Sequence, residues 1–171
     1  MAVFTESEVN QQHLDWSILR DGGISLYLRE EILQEHIQLL ESYGYKIVAF
    51  DCASWSSTDQ MHSAFEDALL FPTYYGRNLH ALNDCVREDV DVPDTGGLAI
   101  VLRNADLCSQ IRRELEQALS IFTAASRHHM LFGHRFVTLV QVSNPRASFE
   151  HLGCLGAVWN HKEWLNKSRG L

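Results

Sequence analysis

The residues best suited to chemistry lie at positions 71–86, in the run FPTYYGRNLHALNDCV. This run holds a tyrosine pair, Tyr74 and Tyr75, and the carboxylate of Asp84. A carboxylate held on a rigid helix can form charge-assisted hydrogen bonds with Arg, Lys or His side chains. Exposed tyrosines beside it present a surface that another protein can contact. The pattern therefore indicates a protein-binding surface rather than a catalytic centre.

The same run predicts a loop that leads directly into a helix. Pro72 cannot continue a preceding helix, Gly76 supplies a backbone conformation that a side chain would resist, and Asn78 is a preferred N-cap residue. From Leu79 onward, apolar residues recur at helical spacing and point inward. The opposite face carries His80, Asn83, Asp84 and Arg87. We expect both tyrosines to be exposed beside this polar face.

The charged residues of this region allow two interpretations each. Asp84 either contacts a basic partner or is a solvated carboxylate paired with His80 or Arg87. Arg77 either alters the charge of the contact loop or is a solvated loop residue. A short acidic run follows, and it either extends the negative surface or forms a solvated loop. Its members are Glu88, Asp89, Asp91 and Asp94.

Composition restricts the class of protein. The net charge of −8 argues against a nucleic-acid partner and favours fast capture of a basic protein. The first residues, MAVFTESEVN, lack the basic start and apolar run of a signal peptide, and no apolar stretch reaches the length of a membrane span. Four cysteines are widely scattered, which is typical of reduced, buried thiols. They are Cys52, Cys85, Cys108 and Cys154. We expect a cytoplasmic, acidic, single-domain protein that binds neither nucleic acid nor membranes.

The sequence offers little support for the hypothesis that the chain is an enzyme. His128, His129 and His134 are spaced so that the adjacent pair falls on different helical faces, which disfavours a metal site. Cys85 should point partly inward, as a structural thiol does. The chain has no GxSxG, HExxH, Walker or GxGxxG arrangement. We therefore expect no catalytic residue, no metal site and no cofactor.

Alternation of strands and helices along the chain predicts an α/β fold with a mainly parallel sheet. Strands are predicted at residues 46–51, 98–103 and 136–142, and a hairpin-like signal centres on Asp21-Gly22-Gly23 between residues 16–20 and 24–28. Helices are predicted after residue 29, after Ser57 and around residues 111–122. The second of these carries the apolar residues Met61, Phe65, Ala68 and Leu69.

The pattern Tyr74-Tyr75-Gly76-x-Asn78-Leu79-x-Ala81-Leu82-x-Asp84-Cys85 resembles the signature of the barstar family, which are small intracellular inhibitors of secreted bacterial ribonucleases. The likeness runs from about residue 45 to about residue 142. It implies a small three-stranded, mainly parallel sheet flanked by helices, within a single domain spanning 1–171. Residues 46–145 would form the core, with an N-terminal extension at 1–45 and a C-terminal extension at 146–171.

The resemblance also implies a function. The chain would be an immunity protein that blocks the active site of a basic secreted ribonuclease or related toxin. Its partner-binding residues would be Tyr74, Tyr75, Gly76, Arg77, Asn78, His80, Asn83, Asp84 and Arg87.

Several contact positions depart from the family pattern. His80 stands where the family's inhibitor has an acidic residue, and Asn83 stands where it has a tryptophan. A further acid of the family falls at or near Ala124, with no carboxylate adjacent. These changes leave the target open. The alternatives are a regulatory or adaptor protein that binds a non-nuclease partner through the same fold and, with less support, a divergent hydrolase.

Overall fold

A computed structural model of the chain describes residues 3–149, 156–164 and 166–169. The α-helices are α1 (Glu6–Asn10), α2 (Leu14–Arg20), α3 (Glu30–Ser42), α4 (Thr58–Leu69), α5 (Leu79–Glu88) and α6 (Arg112–Leu131). The strands are β1 (Ile24–Tyr27), β2 (Tyr45–Asp51), β3 (Gly97–Arg103), β4 (Phe136–Gln141) and β5 (Val158–Trp159). Within the described residues, no helix combines the length and the apolar character needed to cross a bilayer.

The strands form one parallel sheet in the order β2-β3-β4-β1-β5. The predicted α/β fold with a parallel sheet between helices is confirmed, and the three predicted strands correspond to β2, β3 and β4. The expected strand number of three is wrong, because the described residues contain five. The extra strands come from outside 46–145: β1 pairs with β4, with Ile24 opposite Thr138, and β5 pairs with β1. The division of the domain into a core and two extensions stays a prediction.

The predicted hairpin around Asp21-Gly22-Gly23 is wrong. Leu14, Ile18 and Leu19 are buried on one side of helix α2, so the segment before the glycines is helical. Gly22 and Gly23 adopt positive φ angles of 108° and 85°, and their amides bond back to the carbonyls of Leu19 and Ile18. The glycines therefore end a helix in the left-handed conformation typical of this position. The strand that follows is the buried parallel strand β1.

Both faces of the sheet are covered by helices. Alternating residues of β3 point to opposite sides, so Leu98, Ile100 and Leu102 join one core while Ala99 and Val101 join the other. Helices α4, α5 and α6 cover the first face, and α2 and α3 cover the second. The apolar stripe predicted near residues 111–122 is buried as expected.

Helix α4 differs from its predicted apolar face at one position. Met61, Phe65 and Leu69 are buried as predicted. Ala68 is exposed, and His62, which was not assigned to the apolar face, is buried. Ser57 caps this helix by accepting a hydrogen bond from the amide of Gln60. The thiols of Cys52, Cys85 and Cys108 are buried, as predicted, and take part in no disulfide bond, whereas Cys154 lies outside the described residues.

Arg135, just before β4, fastens the N-terminal segment to the sheet. Its guanidinium donates to Oε1 of Glu8 at 2.8 Å, to Oδ2 of Asp15 at 2.9 Å and to the carbonyl of Val3 at 2.6 and 3.0 Å. The ring of Phe4 lies 4.2 Å from the guanidinium carbon. Arg135 therefore joins α1, α2 and the chain before α1 to the start of β4.

We expect Arg135→Met to lower the free energy of unfolding by about 3–5 kcal/mol, because it leaves a buried carboxylate without its cation. Asp15 is fully buried, and its other hydrogen bonds come from two uncharged donors, the hydroxyl of Tyr45 at 3.0 Å and the amide of Trp16 at 2.9 Å. The matched control is Arg20→Met, since the Arg20–Asp21 pair is partly exposed and should contribute only about 0–1 kcal/mol. Urea unfolding at pH 7 measures both, and equal losses would contradict the prediction.

The same variant should change the pH dependence of stability. Burial opposes ionisation of Glu8, but hydrogen bonds from Thr5 and Arg135 outweigh it and lower the pKa from 4.5 to about 2. A lowered folded-state pKa stabilises the fold above pH 4.5, and this contribution is lost as the pH falls towards 2. As the pH falls from 4.5 to about 2, the free energy of unfolding of Arg135→Met should therefore decrease less than that of the parent.

Candidate protein-binding surface

Loop 72–78 joins α4 to α5 and is built by local backbone contacts. The amide of Tyr75 donates to the carbonyl of Pro72 at 2.9 Å. Asn78 caps α5, because its Oδ1 accepts a hydrogen bond from the amide of Ala81 at 3.0 Å. The predicted helix start at Asn78 is therefore confirmed. Buried Leu82, Cys85 and Val86 fix the orientation of α5 against the first core.

The two tyrosines of the loop point in opposite directions. Tyr74 is 71% exposed, and its hydroxyl donates to Oδ1 of Asp89 at 2.8 Å. Tyr75 is only 5% exposed, so the expectation that both tyrosines are exposed is wrong for Tyr75. Its ring lies 4.8 Å from that of Phe71, and its hydroxyl lies 2.5 Å from Nδ1 of His62. A tyrosine ring is largely apolar, and here its hydroxyl has a partner inside the molecule, which makes burial favourable.

The strained backbone position of the loop is Arg77 and not Gly76. Arg77 has a φ of 47°, whereas Gly76 is not among the residues with positive φ. A Cβ on Gly76 would lie 2.9 Å from Nδ2 of Asn78, which donates to the Gly76 carbonyl at 3.1 Å. A larger residue at position 76 would therefore have to displace the Asn78 side chain that caps α5, whereas a left-handed backbone is not what favours glycine here.

The positive charge of Arg77 is paired within the protein. Its guanidinium contacts Oε2 of Glu66 at 2.7 Å and Oδ1 of Asp59 at 3.5 Å, both on α4. The hydrogen bond to Glu66 raises the pKa of Arg77 further above its usual value. Arg77 is thus neither an isolated solvated residue nor an unopposed cation on the loop.

The polar face of α5 has the predicted composition. His80, Asp84 and Arg87 are exposed and Asn83 is half-buried. Asn83 donates to Oδ1 of Asp84 at 3.2 Å, and Nη2 of Arg87 lies 3.2 Å from Nδ1 of His128 on α6. Among the described residues, no cationic side chain lies within 4.0 Å of the Asp84 carboxylate. The interpretation in which Asp84 pairs with His80 or Arg87 is therefore not supported.

A shallow groove of about 480 Å³ separates this face of α5 from α6. Its α5 wall includes Leu79, His80 and Asn83. On its α6 wall, only Ala124 was considered from the sequence, as the position of a family acid. The four members of this wall lie 3, 1 and 3 residues apart, a spacing that places them on one face of the helix. The α6 members are Gln117, Ser120, Ile121 and Ala124.

Three members of the acidic run are paired internally. Asp89 accepts from Tyr74, Asp91 lies 3.2 Å from the ammonium group of Lys46, and Asp94 lies 3.3 Å from Nε2 of His134. These pairs are solvent-exposed, so the run has the character of a solvated loop with local partners. Its contribution to a negative surface stays a prediction.

The histidines at the end of α6 and just after it lie close together, with the ring centroid of His129 5.8 Å from that of His128 and 6.2 Å from that of His134, but their polar partners differ. His129 is buried with Nε2 2.9 Å from the carbonyl of Val86, whereas His128 contacts Arg87 and His134 contacts Asp94. Within residues 3–149, 156–164 and 166–169, no three His, Cys, Asp or Glu residues are grouped to hold a metal ion.

Comparison with known proteins identifies similar chains. Residues 45–141, more than half of the chain, match the model of a family described as Barstar (barnase inhibitor). Over 57 residues the chain is 40% identical to a protein of Bacillus subtilis (strain 168) named "Putative ribonuclease inhibitor YrdF". That match covers 33% of this chain and 58% of the relative. The family match includes loop 72–78, α5 and most of the sheet.

We expect Asn78→Ala to lower the free energy of unfolding by about 1 kcal/mol, because it removes the N-cap of α5. Asn83→Ala is the matched control, since Asn83 lies within the same helix and caps nothing. Urea unfolding of both variants tests the prediction. A cost for Asn83→Ala as large as that for Asn78→Ala would show that capping is not what stabilises this helix start.

Proposed function

This chain belongs to the barstar family, and on that premise we propose that it binds and blocks the active site of a bacterial ribonuclease or related toxin. The surface that would make the contact consists of loop 72–78 and the polar face of α5, formed by His80, Asn83, Asp84 and Arg87. The proposal implies a protein partner, no catalysis by this chain, and a place of action inside the cell that makes the toxin.

The proposed mechanism is imitation of the substrate's phosphate. Ribonucleases hold phosphate groups with Arg, Lys and His side chains. The Asp84 carboxylate would occupy the phosphate position and accept charge-assisted hydrogen bonds from these groups. Because α5 is capped by Asn78 and anchored by buried side chains, little conformational freedom would be lost on binding.

The observation that carries the proposal is the state of Asp84. Its carboxylate is exposed on a helix whose other side is buried, and among the described residues only Asn83 donates a side-chain hydrogen bond to it. An ion pair with a neighbour would have to be broken before a partner could bind. The absence of such a pair within the described residues favours Asp84 as the anchor of the complex.

One observation favours the second candidate, a barstar-fold regulatory or adaptor protein. His80 lies four residues before Asp84 and Arg87 three residues after it on the same helix, and Nη2 of Arg87 lies 3.2 Å from Nδ1 of His128. This arrangement is unlike the acidic surface that a strongly basic ribonuclease would select. A partner with some negative charge opposite Arg87 would suit it, and such a partner could be a nuclease or another protein.

The test is inhibition of purified ribonucleases by the purified chain. Barnase is the first probe, followed by a panel of small basic secreted ribonucleases, with RNA cleavage measured against the concentration of the chain. The proposal expects stoichiometric inhibition of at least one enzyme and an association rate that falls with salt, since the net charge is −8. If no enzyme in the panel is slowed, the inhibitor proposal fails and the adaptor candidate replaces it.

Asp84→Asn should weaken the complex by about 2–5 kcal/mol, because it removes the charge that a buried cation of the enzyme would face. Its effect on the free energy of unfolding should stay below about 0.5 kcal/mol, as is usual at an exposed position. Asp67→Asn is the matched control, since Asp67 is an exposed carboxylate on α4 outside the proposed surface. Equal binding by Asp84→Asn and the parent would exclude this surface.

His80→Asp should tighten the complex with barnase by about tenfold, because it places a carboxylate on the contact face opposite a basic site. The same change should weaken binding of any partner that presents an acidic group at this position. Gln38→Glu at an exposed position on α3 adds the same single negative charge away from the surface and is the matched control. If His80→Asp leaves the dissociation constant unchanged for every partner, His80 does not lie in the interface.

A further inference from the structure

A buried side-chain pair, Tyr75 and His62, holds loop 72–78 from inside the molecule. Tyr75 and His62 are 5% and 1% exposed, and the tyrosine hydroxyl lies 2.5 Å from Nδ1 of the imidazole. The two rings meet at 61° with their centroids 5.8 Å apart, and Phe71 also packs against Tyr75. The pair therefore connects the interior face of α4 to the middle of the loop.

A histidine at this position is an unfavourable choice for packing alone. Its Nε2 is buried and has no hydrogen-bond partner among the described residues. Whichever tautomer is present, one ring nitrogen is left unsatisfied in an apolar environment, which destabilises the fold. A leucine would avoid that cost, and the side-chain hydrogen bond that His62 makes within the described part of the chain is directed at the loop.

The pair is neutral, which suits a fixed hydrogen bond. Burial lowers the pKa of His62, with the nearby Asp59 carboxylate opposing this shift and Arg77 adding to it. Burial raises the pKa of the Tyr75 hydroxyl. At neutral pH the bond is therefore one between uncharged groups and carries no steering charge.

Because Tyr75 is buried, the neighbouring residue Tyr74 points towards solvent. Tyr74 is exposed, and its hydroxyl reaches Asp89 just after the end of α5. Asn78, three residues beyond Tyr75, caps the same helix. If Tyr75 left the interior, both the direction of Tyr74 and the approach of the chain to the cap would change.

We propose that His62 is a positioning residue for partner binding, which holds Tyr75 inside the molecule and thereby fixes loop 72–78 in the conformation that presents Tyr74 and the polar face of α5. This inference rests on the proposed inhibitor function. His62 itself would touch no partner, and its effect would pass through Tyr75.

The chain contains a matched control on the opposite face of the sheet. Tyr27 and His36 are fully or almost fully buried, and the Tyr27 hydroxyl lies 2.9 Å from Nδ1 of His36. Their rings also meet edge to face, with centroids 5.5 Å apart. Tyr27→Phe thus removes the same kind of hydrogen bond as Tyr75→Phe, without touching loop 72–78.

The first arm of the test measures amide hydrogen exchange in the free chain. Tyr75→Phe should speed exchange at residues 74–78 while leaving exchange in β3 unchanged, and Tyr27→Phe should leave residues 74–78 at the parental rate. Parental protection of the loop in Tyr75→Phe, or equal loosening by both variants, would overturn the positioning role. This arm decides the inference even if no ribonuclease is bound, in which case the proposed function alone has failed.

The second arm measures binding to barnase or to whichever ribonuclease of the panel the parent inhibits. Tyr75→Phe should weaken binding by about tenfold, as expected for loss of one buried hydrogen bond, mainly through faster dissociation. The salt dependence of association should not change, because no charge is altered. Tyr27→Phe should bind like the parent, and a loss equal to that of Tyr75→Phe would contradict the inference.

The third arm asks whether His62 acts through Tyr75. His62→Leu should reproduce the weakening seen in Tyr75→Phe, and the double variant should be no weaker than either one, since both remove the same bond. His62→Gln keeps a group that can bond the hydroxyl and should restore most of the affinity. Full affinity in His62→Leu, or additive losses in the double variant, would show that His62 does not position the loop.

Discussion

The fold depends on a parallel sheet that must be covered on both faces. Every residue of β3 except Arg103 is buried, so neither face of its centre can meet water. Helices α4, α5 and α6 cover one face, and α2 and α3 must cover the other. Arg135 secures that second layer, because it bonds to residues in and before α1 and α2 from the start of β4. The N-terminal segment is thus part of what allows the sheet to form.

The proposed binding surface is held rigid by the layer of helices α4, α5 and α6. Helix α5 buries Leu82, Cys85 and Val86, which leaves its opposite face to solvent and fixes where Asp84 points. Loop 72–78 has no regular secondary structure, and it is held by the burial of Tyr75 at one point and by the Asn78 cap at another. Order in the loop therefore comes from the core below it, and its exposed residues remain available for contact.

Local periodicity predicted the strands β2, β3 and β4, the three long helices and the cap at Asn78, because each is encoded within a few neighbouring residues. An extended segment at residues 24–28 was predicted only as half of a hairpin, and its parallel pairing with β4 was missed, because Ile24 and its partner Thr138 are more than a hundred positions apart. The burial of Tyr75 was missed for a similar reason, because its partner His62 lies on another element, α4. The apolar pattern of α4 placed Ala68, and not His62, on the buried face of that helix. Ion pairs such as Arg77–Glu66 also join residues whose proximity only the fold creates.

On this surface, the residues that hold the loop rigid are different from those that set its charge. This separation determines which substitutions could change the target. Tyr75, His62 and Asn78 fix the loop and the helix start through neutral hydrogen bonds. His80, Asn83 and Asp84 lie on the outer face of α5, where a substitution alters charge without disturbing the core. Specificity is a difference between affinities for competing partners. A chain of this family can therefore exchange outer residues to meet a new partner while keeping the same preorganised scaffold, and the departures at His80 and Asn83 fall on that outer set alone.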